Sequence, residues 1–332
     1  MRGYLGRYGD LGIGVLAVDG ADLAERPGIE IHNPSYLALA PDGGTLYAVL
    51  EHPEGGRVAA FAVQGDGLRA LGSQPTGGTS PCHLSVHPSG RYVLIANYAS
   101  GSVAVHRIRD DGSLGERTDL VQHEGSGPVR DRQEGPHAHM VVTAPSGRYV
   151  LAVDLGTDAV HRYRLDTDTG RLVADGKMTL PAGTGPRHLA FHPDGRRAYL
   201  AGELDSTVRV LEPEMLAVGD PVSTVPAGVA AANLPSAIRV SADGRFCYVA
   251  NRGHDSISVL AIDDGTSDLR LATTVPCGGE HPRDLVLAGE WLYVANQFSG
   301  SLTSFRVDPT TGVPTATGIS LETPSPSCIL LA

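Results

Sequence analysis

The chain has 332 residues, enough for about two domains of roughly 150 residues each, and 41% of them are apolar. Glycine (42) and proline (23) together make up about a fifth of the chain, below the roughly 25–30% that marks low-complexity sequence. The net charge of −11 argues against a broad surface for nucleic acid or anionic membrane, although an acidic protein can still hold a local arginine cluster.

The N-terminal segment MRGYLGRYGD lacks the apolar stretch of a secretory signal, and no later run approaches the roughly 18 apolar residues of a membrane span. The cysteines are widely scattered, without a CxxC pair or zinc-ligand spacing (Cys82, Cys247, Cys277 and Cys328). Such spacing favours reduced, buried thiols over disulfides or a metal site. The sequence therefore predicts a cytoplasmic protein that does not contact a membrane.

From Pro34 onward, a repeat organises the chain. Each unit has a short apolar run, a turn that contains glycine, and a second run rich in Tyr, Val and Leu, which is the pattern of a β-hairpin. The units begin at Pro34, Pro81, Ala138, Pro186, Pro235 and Pro282. Their turn glycines are Gly43, Gly90, Gly147, Gly195, Gly244 and Gly289, at steps of 47, 57, 48, 49 and 45 residues.

After each hairpin, the sequence predicts a third alternating strand, such as Ser100–Ile108 or Ser299–Val307, and then a fourth, weaker one. Four antiparallel strands every 45–50 residues are typical of propeller blades. The C-terminal Pro326–Ala332 matches the start of a unit, and the N-terminal Tyr4–Gly20 matches its later part. We therefore predict an all-β, seven-bladed propeller, closed by a blade shared between the termini, with residues 1–332 in one domain.

Propeller geometry brings two positions of each blade to one rim, because the first strand starts where the antiparallel second strand ends. The residue after the first of each unit gives one ring: Ser35, Cys82, His139, Arg187, Ser236, Arg283 and Ser327. The end of the second strand gives another: Arg7, Glu51, Asn97, Asp154, Glu203, Asn251 and Asn296, with Arg252 directly after Asn251. Arginines beside a histidine and carboxylates are suited to holding an anion and shifting pKa values. We expect His139, Arg187, Glu203, Arg252 and Arg283 to form the site.

The 57-residue step contains an insertion of roughly ten residues before His139, in His123–Met140. A long polar loop is often a tolerated insertion. One that crosses the rim can instead act as a lid or a binding loop.

At these residues the sequence resembles the lactonase family of seven-bladed propellers, which includes propeller-type 6-phosphogluconolactonases and, more distantly, carboxymuconate-cyclising enzymes. The resemblance covers essentially the whole chain. It depends on RQEGPHAH (Arg132–His139), GPRHLAFHPDGR (Gly185–Arg196), Glu203-Leu204, NRGHDSI (Asn251–Ile257) and HPRDL (His281–Leu285). It implies a site of His139, Arg187, Glu203 and Arg252, with Arg283 and His137 nearby, and neither a metal nor an organic cofactor. His137 fits less well, because the repeat places His139 on the ring.

The resemblance favours hydrolysis of 6-phospho-D-glucono-1,5-lactone, a small anionic substrate. His139 or Glu203 would act as general base, Arg187 would stabilise the oxyanion, and the other arginines would bind the phosphate. Which of His139 and Glu203 is the base stays open. The alternatives are a muconate-type lactonising cycloisomerase and a non-catalytic propeller that binds a ligand or protein. No sequence feature requires a dimer, so a monomer is expected.

Overall fold

The repeat units fold as four-stranded sheets in a computed structural model that describes residues 1–229, 232–263, 265, 266 and 268–332. Strands are numbered β1 to β28 in chain order. The sheet at the termini has the order β28 (Pro326–Leu331), β1 (Arg2–Arg7), β2 (Ile13–Asp19), β3 (Asp22–Ile29). This sheet confirms that one blade is shared between the two ends of the chain.

Each of the other six sheets is built from four consecutive strands. Three of them are formed by β4 (Pro34–Leu39), β5 (Thr45–Leu50), β6 (Arg57–Gln64), β7 (Gly67–Pro75); β8 (Pro81–Val86), β9 (Tyr92–Asn97), β10 (Ser102–Ile108), β11 (Leu114–Gln122); and β12 (Ala138–Thr143), β13 (Val150–Asp154), β14 (Ala159–Asp166), β15 (Arg171–Thr179).

The last three sheets are formed by β16 (Pro186–Phe191), β17 (Ala198–Gly202), β18 (Thr207–Glu212), β19 (Ala217–Ser223); β20 (Leu234–Val240), β21 (Phe246–Arg252), β22 (Ser256–Ile262), β23 (Leu269–Pro276); and β24 (Pro282–Ala288), β25 (Trp291–Asn296), β26 (Ser301–Val307), β27 (Pro314–Glu322). The fold is a seven-bladed β-propeller with four antiparallel strands in each blade, as predicted.

The backbone groups into two compact units. Unit 1 comprises Met1–Gly3, Leu16–Glu25 and Pro186–Leu331. Unit 2 comprises Tyr4–Val15, Arg26–Gly185 and Ala332. That residues 1–332 form one domain stays a prediction.

A buried tyrosine near the start of the second strand links each of several blades to the next. In unit 2 the hydroxyl of Tyr47 donates to the carbonyl of Gly112 at 2.9 Å. In unit 1 the hydroxyl of Tyr248 donates to the carbonyl of Gly312 at 2.8 Å. The alternation of these strands directs the tyrosine and following apolar residues toward the neighbouring sheet, where they form the core. Burial raises the pKa of Tyr47 to about 12, so its hydroxyl keeps the proton that it donates.

The four cysteines are buried thiols, as predicted. Among the described residues there is no helix with the length and apolar character needed to cross a membrane.

Candidate active site

In several blades, the second residue of the repeat unit is the extra residue of a β-bulge. In β16, Pro186 pairs with Gly202 and His188 pairs with Ala201, so Arg187 is the extra residue of a bulge. The same register shift occurs at Ser35, Cys82, His139 and Arg283. A bulge re-aims the side chain of its extra residue and is common next to active sites. The position counted from the sequence is therefore the bulge residue in five blades, and that these residues share a functional site stays a prediction.

Two members of the second ring, Glu203 and Glu51, lie one position after the residue that ends the second strand. Pro186 pairs with Gly202, whereas Pro235 pairs with Asn251. Glu203 is therefore equivalent to Arg252, not to Asn251. Glu51 is misplaced in the same way, because Leu50 is the residue that pairs with the first residue of its unit.

The error has a structural cause in the asparagines that end several second strands. Their side chains hydrogen-bond to the next strand, as when Asn251 Nδ2 donates to Ser256 Oγ at 3.0 Å and Asn97 Nδ2 donates to Ser102 Oγ at 3.1 Å. At the end of β17 the position of these asparagines is occupied by Gly202. The sequence pattern therefore aligned the next polar residue, Glu203, with the asparagines.

Glu203 joins two arginines in unit 1. Its Oε2 accepts a hydrogen bond from Arg252 Nη2 at 2.5 Å and forms an ion pair with Arg187 Nε at 3.1 Å. Arg252 Nε also donates to the carbonyl of Leu234 at 3.0 Å. The three charged residues are almost entirely buried, at 1% exposure for Glu203, 2% for Arg187 and 7% for Arg252. A buried carboxylate shared by two guanidinium groups fixes the positions of both.

Arg283 and His281 lie at the start of β24 in the same unit. Arg283 Nη1 contacts Gln297 Oε1 at 3.4 Å. His281 is a residue that the site prediction missed, although the HPRDL motif contains it. Burial, followed by the charges of Arg252 and Arg283, lowers the pKa of His281 to about 4, and Arg187 contributes in the same direction. Three of the predicted arginines thus create a positive potential at one neutral imidazole.

His137 and His139 belong to unit 2, where both rings contact Tyr98. The ring of His137 stacks on Tyr98 at 4.5 Å, and that of His139 meets its edge at 5.5 Å. His137 Nδ1 donates to the carbonyl of Tyr98 at 3.0 Å, and His137 Nε2 lies 3.2 Å from Glu134 Oε1. His139 Nδ1 lies 3.8 Å from Cys82 Sγ. Both histidines are 6% exposed.

The inserted loop of unit 2 is fixed by buried polar side chains. Gln133, which the sequence analysis did not single out, is fully buried and donates to the carbonyl of Leu155 at 2.9 Å and to Asp158 Oδ1 at 2.8 Å. The loop also passes so close to Gly156 that a Cβ there would overlap the carbonyl oxygen of Gly135. These contacts hold the segment that leads into His137.

Asp154, at the end of β13, also holds this segment through hydrogen bonds. Its Oδ1 accepts from the backbone N–H of His137 at 2.9 Å, and its Oδ2 accepts from His123 Nδ1 at 2.6 Å. Burial raises the pKa of Asp154, but the hydrogen bonds from His123 and His137 outweigh burial and leave that pKa below its usual value. Asp154 is therefore a positioning residue for the loop.

The ligand atoms of His123, Asp154 and His161 lie within 4.8 Å of one another, a spacing that three cation ligands can have. Both nitrogens of His123 are engaged, because Tyr163 Oη lies 3.0 Å from Nε2 and Asp154 accepts from Nδ1. Burial raises the pKa of Tyr163 to about 12, so its hydroxyl is the donor. The rings of His123 and His161 stack at 3.9 Å, so their in-plane lone pairs run side by side. Tyr163, His123 and Asp154 are therefore arranged as a hydrogen-bond network, on which the ring of His161 stacks.

Comparison with known proteins supplies the family context. The model of the protein family described as "Lactonase, 7-bladed beta-propeller" matches residues 2–331. A 6-phosphogluconolactonase of Bacillus subtilis is 36% identical, over 98% of this chain and 97% of its own length. A 6-phosphogluconolactonase of Formosa agariphila is 31% identical, over 85% of this chain and 83% of its own length. The solved structure of a periplasmic gluconolactonase of Pseudomonas aeruginosa has a TM-score of 0.93 and 34% identity, covering 99% of this chain and 98% of that one.

Proposed function

Because the chain belongs to the lactonase family of seven-bladed β-propellers and is a lactonase, we propose that it hydrolyses 6-phospho-D-glucono-1,5-lactone to 6-phosphogluconate, a step of the pentose phosphate pathway. The observation that supports the choice of a phosphorylated lactone is that Arg187 and Arg252 converge on one buried carboxylate, Glu203, while both of them and Arg283 help to lower the pKa of His281. A phosphate dianion is stabilised by the charge of such arginines, and guanidinium groups can bind it through two hydrogen bonds each.

The chemistry of lactone opening gives each predicted residue a role. Water attacks the carbonyl carbon, negative charge develops on the carbonyl oxygen, and the ring oxygen leaves as an alkoxide that needs a proton. Arg187 is assigned to the developing oxyanion, a type of interaction worth about 3–4 kcal/mol in other enzymes. Glu203 holds Arg252 through a hydrogen bond and Arg187 through an ion pair. Proton transfer by His139 or Glu203, and substrate contact by His137, stay predictions.

The phosphate assignment is tested by comparing two lactones. We expect wild-type protein to have a higher kcat/KM for 6-phospho-D-glucono-1,5-lactone than for D-glucono-1,5-lactone, measured by acid release at constant pH with spontaneous hydrolysis subtracted. Arg283→Gln should raise KM for the phosphorylated lactone by about 10- to 100-fold, the value of one charged hydrogen bond, and leave KM for the unphosphorylated one within threefold. The control is Arg245→Gln, an exposed arginine of the same unit paired with Asp243.

Equal KM increases for both lactones in Arg283→Gln would refute the phosphate assignment. A separate test addresses the chemical step, for which Arg187→Ala and His139→Ala should each lower kcat at least 100-fold. Wild-type rates in both variants would refute the assignment of these residues. We also infer a monomer located in the cytoplasm. Size-exclusion chromatography with light scattering and cell fractionation test these two inferences.

A further inference from the structure

We propose that His281 is a further catalytic residue of this lactonase, the imidazole that takes a proton from the attacking water and returns it to the leaving oxygen. The inference depends on the proposed function and adds a group from unit 1 to the predicted proton-transfer residues. It is based on the contacts that hold the His281 backbone, the environment of its ring, and the charges that surround it.

The backbone of His281 is held against the turn that carries Arg252. Its N–H donates to Asp255 Oδ1 at 2.8 Å, and Asp255 lies three residues after Arg252. Ser236 Oγ donates to the carbonyl of the next residue, Pro282, at 2.6 Å. The carbonyl of His281 accepts from the N–H of Gln297 at 3.0 Å. Hydrogen bonds to one neighbouring strand, β20, and to two turns thus fix the position from which the ring projects.

The imidazole ring is oriented by stacking and keeps its nitrogens available. Phe298 covers one face, with ring centroids 3.8 Å apart and planes 16° from parallel. Stacking does not use the in-plane nitrogens, and within the described part of the chain no protein group hydrogen-bonds to either of them. The ring nitrogens of His137 both face protein acceptors, by contrast. His281 is therefore suited to hydrogen-bond with water or substrate.

Surrounding charges keep this imidazole in the proton-accepting form. Arg283 on its own strand, Arg252 at the end of β21 and Arg187 in β16 oppose protonation, while Asp255 favours it. Burial and these charges lower the pKa of His281 to about 4, so the ring is neutral throughout the range in which most cytoplasmic enzymes work.

Substrate binding makes the imidazole of His281 more basic. A phosphate dianion bound by Arg252 and Arg283 offsets their charge, which raises the pKa of His281 toward the value of an ordinary histidine. The imidazole becomes a stronger base only when substrate is present, and a base with a pKa nearer to the working pH is the more effective catalyst.

The imidazole nitrogen takes one proton from water as the water oxygen bonds to the lactone carbonyl carbon and the carbonyl π electrons move to oxygen. The tetrahedral oxyanion collapses, the bond from that carbon to the ring oxygen breaks, and the leaving oxygen takes the proton from the imidazolium. The product acid then loses a proton to solvent. One water is consumed, and His281 returns to its neutral form.

The variant that tests this is His281→Asn. His281 has a φ of +58°, in the left-handed region, where asparagine is accommodated well, so the backbone is preserved. We expect kcat to fall about 100-fold or more with KM within threefold. The control is His254→Asn, because His254 lies on the same turn as Asp255 and its Nδ1 contacts Ser256 Oγ at 2.7 Å. That control should keep kcat within twofold of wild type.

A titration provides a readout that a merely structural role would not give. In protein labelled at histidine, the resonance that disappears in His281→Asn should titrate below pH 5 in the free protein. It should titrate at least one pH unit higher with saturating 6-phosphogluconate. A kcat above one tenth of wild type in His281→Asn, or a titration midpoint that the ligand does not move, overturns the assignment. Wild-type protein inactive on all lactones would instead refute the proposed function itself.

Discussion

Replacing Glu203 by glutamine removes one negative charge from between two buried guanidinium groups while the side chain keeps its size. Glu203 Oε2 accepts a hydrogen bond from Arg252 at 2.5 Å and forms an ion pair with Arg187 at 3.1 Å, and its side chain is 1% exposed. The amide oxygen of glutamine can still accept the hydrogen bond from Arg252. It cannot balance the charge of the two arginines.

The expected cost follows from this burial. Removing one partner of a buried ion pair typically costs about 3–5 kcal/mol, because the remaining charge is left without compensation in a poorly solvated place. Since glutamine preserves one acceptor, we expect a loss of about 3 kcal/mol in the free energy of unfolding. Loss of the carboxylate also makes the arginine cluster more positive, so phosphate should bind the variant more tightly than it binds wild type. At about 100 times its Kd, phosphate would restore about 2.7 kcal/mol.

Urea unfolding followed by the fluorescence of Trp291 measures both effects. Trp291 is the single tryptophan of the chain and lies in β25, in the same unit as Glu203. The control is Asp243→Asn, which makes the same carboxylate-to-amide change in an exposed pair, where Arg245 is 42% and Asp243 46% exposed. We expect the control to change the free energy of unfolding by less than about 1 kcal/mol, with no additional response to phosphate.

Two results would refute this reasoning. One is a Glu203→Gln variant as stable as the Asp243→Asn control in phosphate-free buffer. The other is a destabilised variant that phosphate stabilises no more than wild type. In the first case Glu203 does not compensate the arginines, and in the second the cluster does not bind anions.

Three other predictions concern stability and the inserted loop. Tyr248→Phe should lower the free energy of unfolding by about 1 kcal/mol, because the carbonyl of Gly312 loses its buried donor, and an unchanged urea midpoint would contradict this. Burial and the neighbouring His123 lower the pKa of His161 to about 4, below its unfolded value near 6.5. The unfolded chain therefore takes up a proton first as the pH falls, and stability should decrease between pH 6.5 and 4. His161→Phe should reduce that slope in urea midpoints measured across this range, and a slope equal to that of wild type would argue against the assignment. Gly156→Ala should displace the loop that passes over it, so limited proteolysis should cut residues 124–136 faster and kcat should fall; a wild-type cleavage pattern would show that the contact is unimportant.

Much of the fold could be predicted because it depends on local patterns. Alternating apolar residues and glycine turns recur at a nearly constant step, and each unit needs a neighbour against which to bury its apolar faces. The incomplete units at the two ends can satisfy that need only by joining. The observed sheet of β28, β1, β2 and β3 confirms this prediction.

The site was only partly predictable, because its geometry depends on register and on contacts between blades. The position of Arg187 could be counted from Pro186, since the bulge recurs at the same place in several units. Glu203 was misplaced by one residue, since no local signal tells whether Gly202 or Glu203 pairs with Pro186. Its partnership with Arg252, contributed by the next blade, became visible only with the strands in place.

By itself, then, the sequence determined the all-β class, the number of blades, the closure and the residues at the bulges of several first strands, because all of these depend on spacing along the chain. Only the tertiary structure decided which charges meet and which side chains support the site. His281 lies among arginines from two other blades and its own strand, and Gln133 is buried by a turn more than twenty residues away. Electrostatic potential and burial are properties of the assembled chain, and spacing along one sequence does not record them.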